Sequence, residues 1–239
     1  MPLFDKCARF AQTVADLKSS NRFFYLREFE PTASPVVEKR GRKLLMLGSN
    51  NYLGLANHPK VVSATADAVR EYGTGACSSR VLTGTSGIHA RLERALADFK
   101  RTEDAVVFSA GFMTMMGTIA ALTGEGDVIL SDELNHASIV DGCRLSRADA
   151  RIYRHNDMAS LEQELVKARD ADCRLVVTDG VFSMRGTVAN LPEIVRLAKE
   201  HDAKVMVDDA HGSGVLGKTG RGTPEHFGVE GQVDIVCGT

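Results

Sequence analysis

The chain has 239 residues, of which 44% are hydrophobic, 25% are charged and 6% are aromatic, with no tryptophan. Its 29 Lys and Arg residues and 31 Asp and Glu residues give a formal net charge of -2, and this composition excludes collagen-like, disordered and disulfide-scaffold classes. Near-neutral charge without a basic run gives no electrostatic reason to expect nucleic acid as a partner. Because charges interrupt every apolar stretch and no secretion signal is recognisable, we expect no transmembrane segment and a cytoplasmic location.

The cysteines are odd in number and scattered, and no pair shows C-x-x-C spacing. A disulfide framework or a zinc knuckle is therefore not expected. We predict reduced thiols, several of them buried as small hydrophobic groups, at Cys7, Cys77, Cys143, Cys173 and Cys237.

The N-terminal part predicts a helix followed by a hairpin. Residues 4–18 have the pattern of an amphipathic helix, because apolar side chains recur at steps of three and four: Phe4, Cys7, Phe10, Val14 and Leu17. A hairpin is predicted next, since Val36–Val37 and Leu44–Leu47 flank the charged turn Glu38–Arg42. We interpret residues 1–50 as an N-terminal arm and residues 51–239 as the main domain.

From about residue 59 onward, helical and strand patterns alternate. Helices are predicted at residues 59–73, 87–100, 112–122, 136–147, 157–169 and 190–201. Short apolar runs predict strands at residues 105–108, 128–130, 175–177, 204–207 and 235–237. Continuous apolar strands are typical of a sheet covered on both faces, and alternation with helices requires parallel crossovers. The predicted class is α/β, with a mostly parallel sheet, helices on both faces and candidate sites at the carboxyl ends of the strands.

Two of these strand ends lead directly into a predicted helix. The small-residue turn at Ser109–Phe112 would expose free N–H groups at the positive end of a helix, which suits a phosphate, although Gly111 could simply permit a tight turn. The segment Ser131–His136 carries a serine, an acid and a histidine; its polar residues could equally cap the helix, and His136 could be a surface histidine.

Two later strand ends also carry polar side chains. Ser183 follows the strand at 175–177, where a serine is usually a turn residue. The clearest pattern is Asp208-Asp209-Ala210-His211 after the strand at 204–207. Carboxylates at the end of a buried strand are desolvated and need partners, so a cationic or N–H-bearing ligand is expected there. Asp208 and His211 could also bind a metal, but no other His or Cys has suitable spacing, so no metal site is predicted.

Six motifs occur in the order typical of the α-oxoamine synthases, a pyridoxal-phosphate-dependent enzyme family: Asn50–Leu55, Gly84–His89, Ser131–Ser138, Asp179–Met184, Asp208–Gly212 and Gly220–Gly222. From about residue 22 to the end, the chain resembles this family. The resemblance implies a fold-type I large domain that binds pyridoxal 5'-phosphate (PLP) over residues 51–239. It also implies a homodimer.

The resemblance also implies roles for individual residues. Asp208 resembles the carboxylate that pairs with the pyridine N–H, and a buried anion there keeps the ring protonated. His136 resembles the imidazole that stacks on the ring and positions the substrate. The remaining predicted contacts are the phosphate donors Gly111, Phe112 and Thr239, the phenolic-oxygen partners Ser183 and His211, and the substrate-binding Asn50.

One feature departs from the family pattern. In the family, Gly-Thr is followed after two residues by the Schiff-base lysine, whereas Gly238-Thr239 are the last residues here. We therefore expect an incomplete large domain, no C-terminal small domain, and no activity from this chain alone. Other lysines lie at non-equivalent positions: Lys199, Lys204 and Lys218.

The implied reaction is decarboxylative condensation of glycine or serine with an acyl-CoA, giving an α-oxoamine. An aminotransferase is a second hypothesis, although the Asn135–Ser138 motif argues against it because aminotransferases usually stack an aromatic ring there. A non-catalytic partner subunit is a third; retention of His136, Asp208 and His211 opposes it.

Overall fold

A computed structural model describes residues 2–23, 28–30 and 33–239 of the chain. Contacts divide the chain into two compact units, Met1–Ala66 and Asp67–Thr239. The division at residue 50 stays a prediction. In the part of the chain that is described, no helix is long and apolar enough to cross a membrane.

The first unit contains the predicted helix and the predicted hairpin. Helix α1 spans Leu3–Ser19, and strands β1 (Val36–Lys39) and β2 (Arg42–Leu45) pair antiparallel. The hairpin turn is two residues long, shorter than expected, because Arg40 and Gly41 both adopt positive φ (51° and 72°). Such a turn matches the twist of the flanking strands.

The second unit is an α/β domain with a parallel sheet, as predicted. The sheet has the order β4-β3-β5-β6-β7, and all its neighbouring strands are parallel. Its strands are β3 (Val128–Asp132), β4 (Asp149–Tyr153), β5 (Arg174–Asp179), β6 (Lys204–Asp208) and β7 (Ile235–Cys237). The helices, of which α2 begins in the first unit, are α2 (Pro59–Tyr72), α3 (Gly87–Lys100), α4 (Gly111–Leu122), α5 (Ala137–Ser146), α6 (Met158–Lys167), α7 (Leu191–Glu200) and α8 (Thr223–Phe227).

Helices cover both faces of the sheet. Along β3, Val128 and Leu130 pack into one buried cluster, whereas Ile129 packs into the other, because successive side chains of a strand point to opposite faces. The first cluster includes side chains of α6 and α7, and the second includes side chains of α4 and α5. Two buried thiols belong here: burial raises the pKa of Cys143 to about 11 and that of Cys237 to about 12.

The predicted strand at residues 105–108 is not formed. Side chains bond part of its backbone instead: Glu93 Oε1 accepts the N–H of Val107 (3.0 Å) and Arg80 Nη1 donates to the carbonyl of Val107 (3.1 Å). Asp104 likewise accepts the N–H of Ala105 (2.8 Å). An apolar run predicts burial, but a strand also needs a neighbouring strand to pair with.

Two elements were not predicted. Strand β4 lies at the edge of the sheet, where Asp149 and Arg151 form an ion pair (2.8 Å) and interrupt the apolar pattern. Charged residues are common on edge strands, so an apolar-run criterion misses them. Helix α8 is only five residues long and follows the glycine-rich segment at residues 212–222.

Candidate active site

Three strands of the sheet end in an aspartate: Asp132 on β3, Asp179 on β5 and Asp208 on β6. Asp179 and Asp208 are register partners on adjacent strands. They come two residues after Val177 and Met206, which pack against α4 and α5, so both acids lie on that face of the sheet. The two carboxyl groups therefore lie side by side at the carboxyl ends of the strands, where a site was expected. We call this end of the sheet the sheet edge.

Asp208 is partly buried. Its Oδ1 accepts the N–H of Ala210 (3.1 Å). Burial raises the pKa of this carboxyl group, while the nearby His136 and His211 act to lower it. A partly desolvated carboxylate of this kind is matched by a cationic N–H group.

Asp209 follows Asp208 directly but is fully buried and satisfied within the protein. Lys100 Nζ lies 3.1 Å from its Oδ2, and Ser213 Oγ donates to the same oxygen (2.9 Å). Thr223 donates to Oδ1 through its N–H (3.1 Å) and its Oγ1 (2.7 Å). Glycines make space for this carboxylate, since a Cβ would collide with it at Gly180, Gly212 or Gly222.

Asp179 is more deeply buried than Asp208. Its side chain is 5% exposed, and its Oδ1 has no hydrogen-bond partner among the described residues. Burial, followed by the charge of Asp208, raises the pKa of this carboxyl group to about 7. A hydrogen bond from the backbone N–H of His136 acts in the opposite direction.

Asn135 joins the ends of β3 and β5. Its Nδ2 donates to Ser131 Oγ (2.9 Å) and to the carbonyl of Val177 (2.8 Å), and its Oδ1 accepts the N–H of Asp179 (2.9 Å). These bonds attach the segment that leads into α5 to strands β3 and β5, and they thereby fix the position of the next residue, His136.

His136 is the N-cap residue of α5. Its Nδ1 lies 2.7 Å from Ser138 Oγ and accepts the N–H of Ser138 (3.3 Å). The ring meets Phe112 edge to face, with centroids 6.1 Å apart. Both contacts restrain the imidazole.

The start of α4 holds Gly111 and Phe112, two of the residues predicted to bind the phosphate. No side chain caps this helix, which begins at Gly111. A Cβ on Gly111 would lie 2.5 Å from Cβ of Thr239 and 2.7 Å from its Oγ1, so only glycine allows this close approach. The structure thus brings Gly111, Phe112 and Thr239 together, and free N–H groups at a helix N-terminus favour a phosphate.

The other predicted residues lie in different settings. Ser183 is exposed in the turn after β5, next to the buried Phe182. His211 lies close enough to Asp208 to affect its pKa. Asn50 belongs to the first unit, where its Oδ1 accepts a hydrogen bond from Tyr52 Oη (3.4 Å).

A second polar group at the same edge was not recognised from the sequence. Asp132 Oδ1 lies 3.0 Å from His155 Nδ1, and His155 Nε2 lies 2.9 Å from Thr187 Oγ1. This chain of contacts ties the end of β3 to the segment after β5. Asp132 was considered only as a helix cap, and nothing in the sequence links it to Thr187.

Two further residues of the site were missed. Asp179 could have been found, because it ends a strand that contains an apolar run, as Asp208 does. Lys100 carries no local signal, since its partner Asp209 is 109 residues away. No group of three His, Cys, Asp or Glu side chains in the described residues could hold a metal ion.

Comparison with known proteins identifies the family of this chain. The family model for aminotransferase class I and II matches residues 42–239. The 8-amino-7-oxononanoate synthases of Bacillus velezensis and Exiguobacterium sibiricum are 50% and 53% identical over 93% and 94% of this chain. The chain spans 57% of the length of each of these two curated relatives.

Solved structures share the fold along the whole chain. A Sphingomonas wittichii serine palmitoyltransferase superposes on 100% of this chain with a TM-score of 0.94 at 41% identity, and 60% of that protein is covered. The enzyme from S. paucimobilis, solved with a bound PLP–myriocin aldimine, gives a TM-score of 0.95 at 38% identity, with 100% of this chain and 61% of that one covered. The chain belongs to the aminotransferase class I and II family, within its α-oxoamine synthase group.

Proposed function

We propose that this protein, at full length, catalyses the PLP-dependent decarboxylative condensation of glycine or serine with an acyl-CoA to give an α-oxoamine. The 239 residues cover about 57% of the curated relatives, so the proposal concerns the whole protein. The observation that carries it is that one face of the sheet edge combines the Asp208 carboxylate with the uncapped start of α4 beside Thr239.

The residues present fit PLP. Asp208 would bind the pyridine N–H, and the N–H groups at Gly111 and Phe112, with Thr239 Oγ1, would bind the phosphate. Ser183 and His211 are proposed to face the phenolic oxygen, and Asn50 to face the substrate carboxylate. When bound, PLP supplies an electron-withdrawing ring that stabilises negative charge on the α-carbon of the amino acid.

The protein side chains would orient the substrate and hold protons in place. Asp208, as an anion, holds a proton on the ring nitrogen, because moving that proton away would leave the carboxylate unpaired. His136 is restrained by Ser138 and Phe112, so its imidazole can fix the orientation of the reacting α-carbon and of the acyl carbonyl. Such orientation accounts for a large part of many rate enhancements.

Aminotransfer is the second candidate. Its support is the description of the matching family model, aminotransferase class I and II, which covers the wider family. The names of the relatives, 8-amino-7-oxononanoate synthase and serine palmitoyltransferase, support acyl transfer instead. A non-catalytic partner subunit is a weaker candidate, since the site keeps Asp208 and both histidines.

We further propose a cytoplasmic homodimer. Residues 1–239 tested alone are expected to lack turnover, because none of their lysines lies at the Schiff-base position of the family.

The test uses the full-length protein with PLP. Glycine or serine is incubated with acetyl-, pimeloyl- or palmitoyl-CoA, and release of free CoA is followed. The Asp208→Asn variant should lose most CoA release, while Asp170→Asn, at a side chain that is 89% exposed, should retain it. If no acyl-CoA releases CoA, and a 2-oxo acid instead accepts the amino group, the protein is an aminotransferase.

A further inference from the structure

We propose that Asp179 is an uncharged carboxylic acid in this site, which leaves Asp208 as the single anion on its face of the sheet edge. The link to PLP rests on the function proposed above. The protonation of Asp179 does not, because it follows from the protein alone.

The first step is the placement of the two acids. Asp179 and Asp208 are register partners on adjacent parallel strands, which run about 4.8 Å apart. Both side chains lie on the face covered by α4 and α5. Two carboxylates at such a separation repel each other, and in a desolvated site one of them keeps its proton.

The second step is to decide which acid is neutral. Asp208 has the N–H of Ala210 at 3.1 Å, and two histidines stabilise its negative charge. Asp179 is 5% exposed, and in the described residues its Oδ1 meets no donor. An unpaired buried charge is far more costly than a neutral acid, so the proton belongs on Asp179.

The surrounding charged groups favour the same assignment. Asp132 on β3 and Asp208 on β6 both raise the pKa of Asp179, and Tyr153 on β4 is a neutral neighbour whose own pKa is raised by burial. Asp209 lies just beyond Gly180, but Lys100 compensates it. From the start of α5, the backbone N–H of His136 acts in the opposite direction, but burial and the neighbouring carboxylates outweigh it, so the pKa of Asp179 is raised.

The consequence concerns what the site binds. With Asp179 neutral, a single negative charge at the sheet edge matches a ligand with a single cationic N–H, as on a protonated pyridine ring.

The protonation is tested by NMR on the full-length protein, with aspartate labelled with 13C at Cγ and without PLP, between pH 5 and 9. One carboxyl resonance should remain in its protonated position at pH 6 and move to the carboxylate position with a midpoint of about 7. This resonance should be missing from Asp179→Asn and present in Asp170→Asn. If Asp179→Asn does not fold, Asp179→Ser identifies the resonance. A spectrum in which every aspartate is ionised at pH 5.5 would overturn the proposal.

A binding experiment tests whether Asp179 acts as a charge. Because Asn is uncharged, Asp179→Asn should bind PLP within about twofold of the wild type at pH 6, whereas Asp208→Asn should bind about tenfold or more weakly. Equal losses in the two variants would show that Asp179 acts as a charge, and would overturn the inference. If Asp208→Asn binds PLP normally, the proposed function fails, while the NMR result on Asp179 still stands.

Discussion

The ammonium group of Lys100 lies 3.1 Å from Oδ2 of Asp209. It also donates to Ser213 Oγ (2.5 Å) and to the carbonyl of Arg221 (2.7 Å), so all three of its protons are used. The end of α3 is thereby tied to the glycine-rich segment that follows His211. This pairing distinguishes two adjacent acids, because Asp209 is neutralised by Lys100 within the protein, whereas Asp208 is the proposed partner of the pyridine N–H.

Lys100→Met should lower the free energy of unfolding by about 3–5 kcal/mol, because it leaves the buried carboxylate of Asp209 without its cation. Urea unfolding of the full-length protein measures this. The matched control is Lys167→Met: Lys167 is 62% exposed and pairs with Glu164 on the surface, so the expected loss is below about 0.5 kcal/mol. Similar losses in the two variants would show that the Asp209 pair is not a buried ion pair.

Gly111→Ala should weaken PLP binding by about tenfold or more, since the new Cβ would displace Thr239 from the start of α4. Equilibrium titration of PLP, followed by its absorbance, gives the affinity. Gly124→Ala serves as the control, because a Cβ at Gly124 meets nothing within 4 Å. Unchanged affinity in Gly111→Ala would place the phosphate elsewhere.

The stability of the protein should depend on pH through Asp179. Its pKa is about 7 in the folded chain against an ordinary value of 3.8, so between these two pH values the folded state holds a proton that the unfolded state releases. The free energy of unfolding therefore falls as pH rises through this window, and the fall is complete above pH 7.

Asp179→Asn removes this dependence. Relative to the wild type, the variant should gain roughly 2–4 kcal/mol between pH 4 and pH 8, as measured by urea unfolding at each pH. The surface variant Asp170→Asn should follow the wild-type curve. A difference between Asp179→Asn and wild type that is constant with pH would contradict the assignment.

Glu93 should stabilise the segment around Val107. Its pKa is lowered to about 2 by the hydrogen bond from Arg80 and by the N–H of Val107. Because the folded-state pKa is depressed, this contribution is fully present above pH 4.5 and is lost as pH falls towards 2.

Glu93→Gln is therefore expected to cost about 1–2 kcal/mol at pH 7 and much less near pH 2.5. Thermal or urea unfolding at the two pH values measures the difference. Glu162→Gln, at an exposed position on α6, is the control and should change stability little at either pH. A cost for Glu93→Gln that does not depend on pH would mean that the charge of Glu93 is unimportant.

The sequence alone determined the features that depend on neighbours along the chain. Periodic apolar spacing predicted helices such as α3 and α7, and apolar runs predicted β3, β5 and β6, since each pattern reflects the repeat of a single element. The α/β class followed from their alternation. His136 and Asp208 were recognised because each stands at a junction between a strand and the next element, and Gly111 because it begins a helix.

Tertiary structure decided everything that depends on contacts between distant segments. Residues 105–108 have a strand-like sequence, but Glu93 and Arg80 take the backbone groups of Val107, whereas the charged edge segment at 149–153 pairs with β3. Lys100, which lies 109 residues before Asp209 in the chain, neutralises Asp209 and not Asp208. The proximity of Asp179 to Asp208 comes from the register of β5 and β6. A local pattern specifies which face a side chain occupies, but only the packing of the sheet specifies which charge lies beside it.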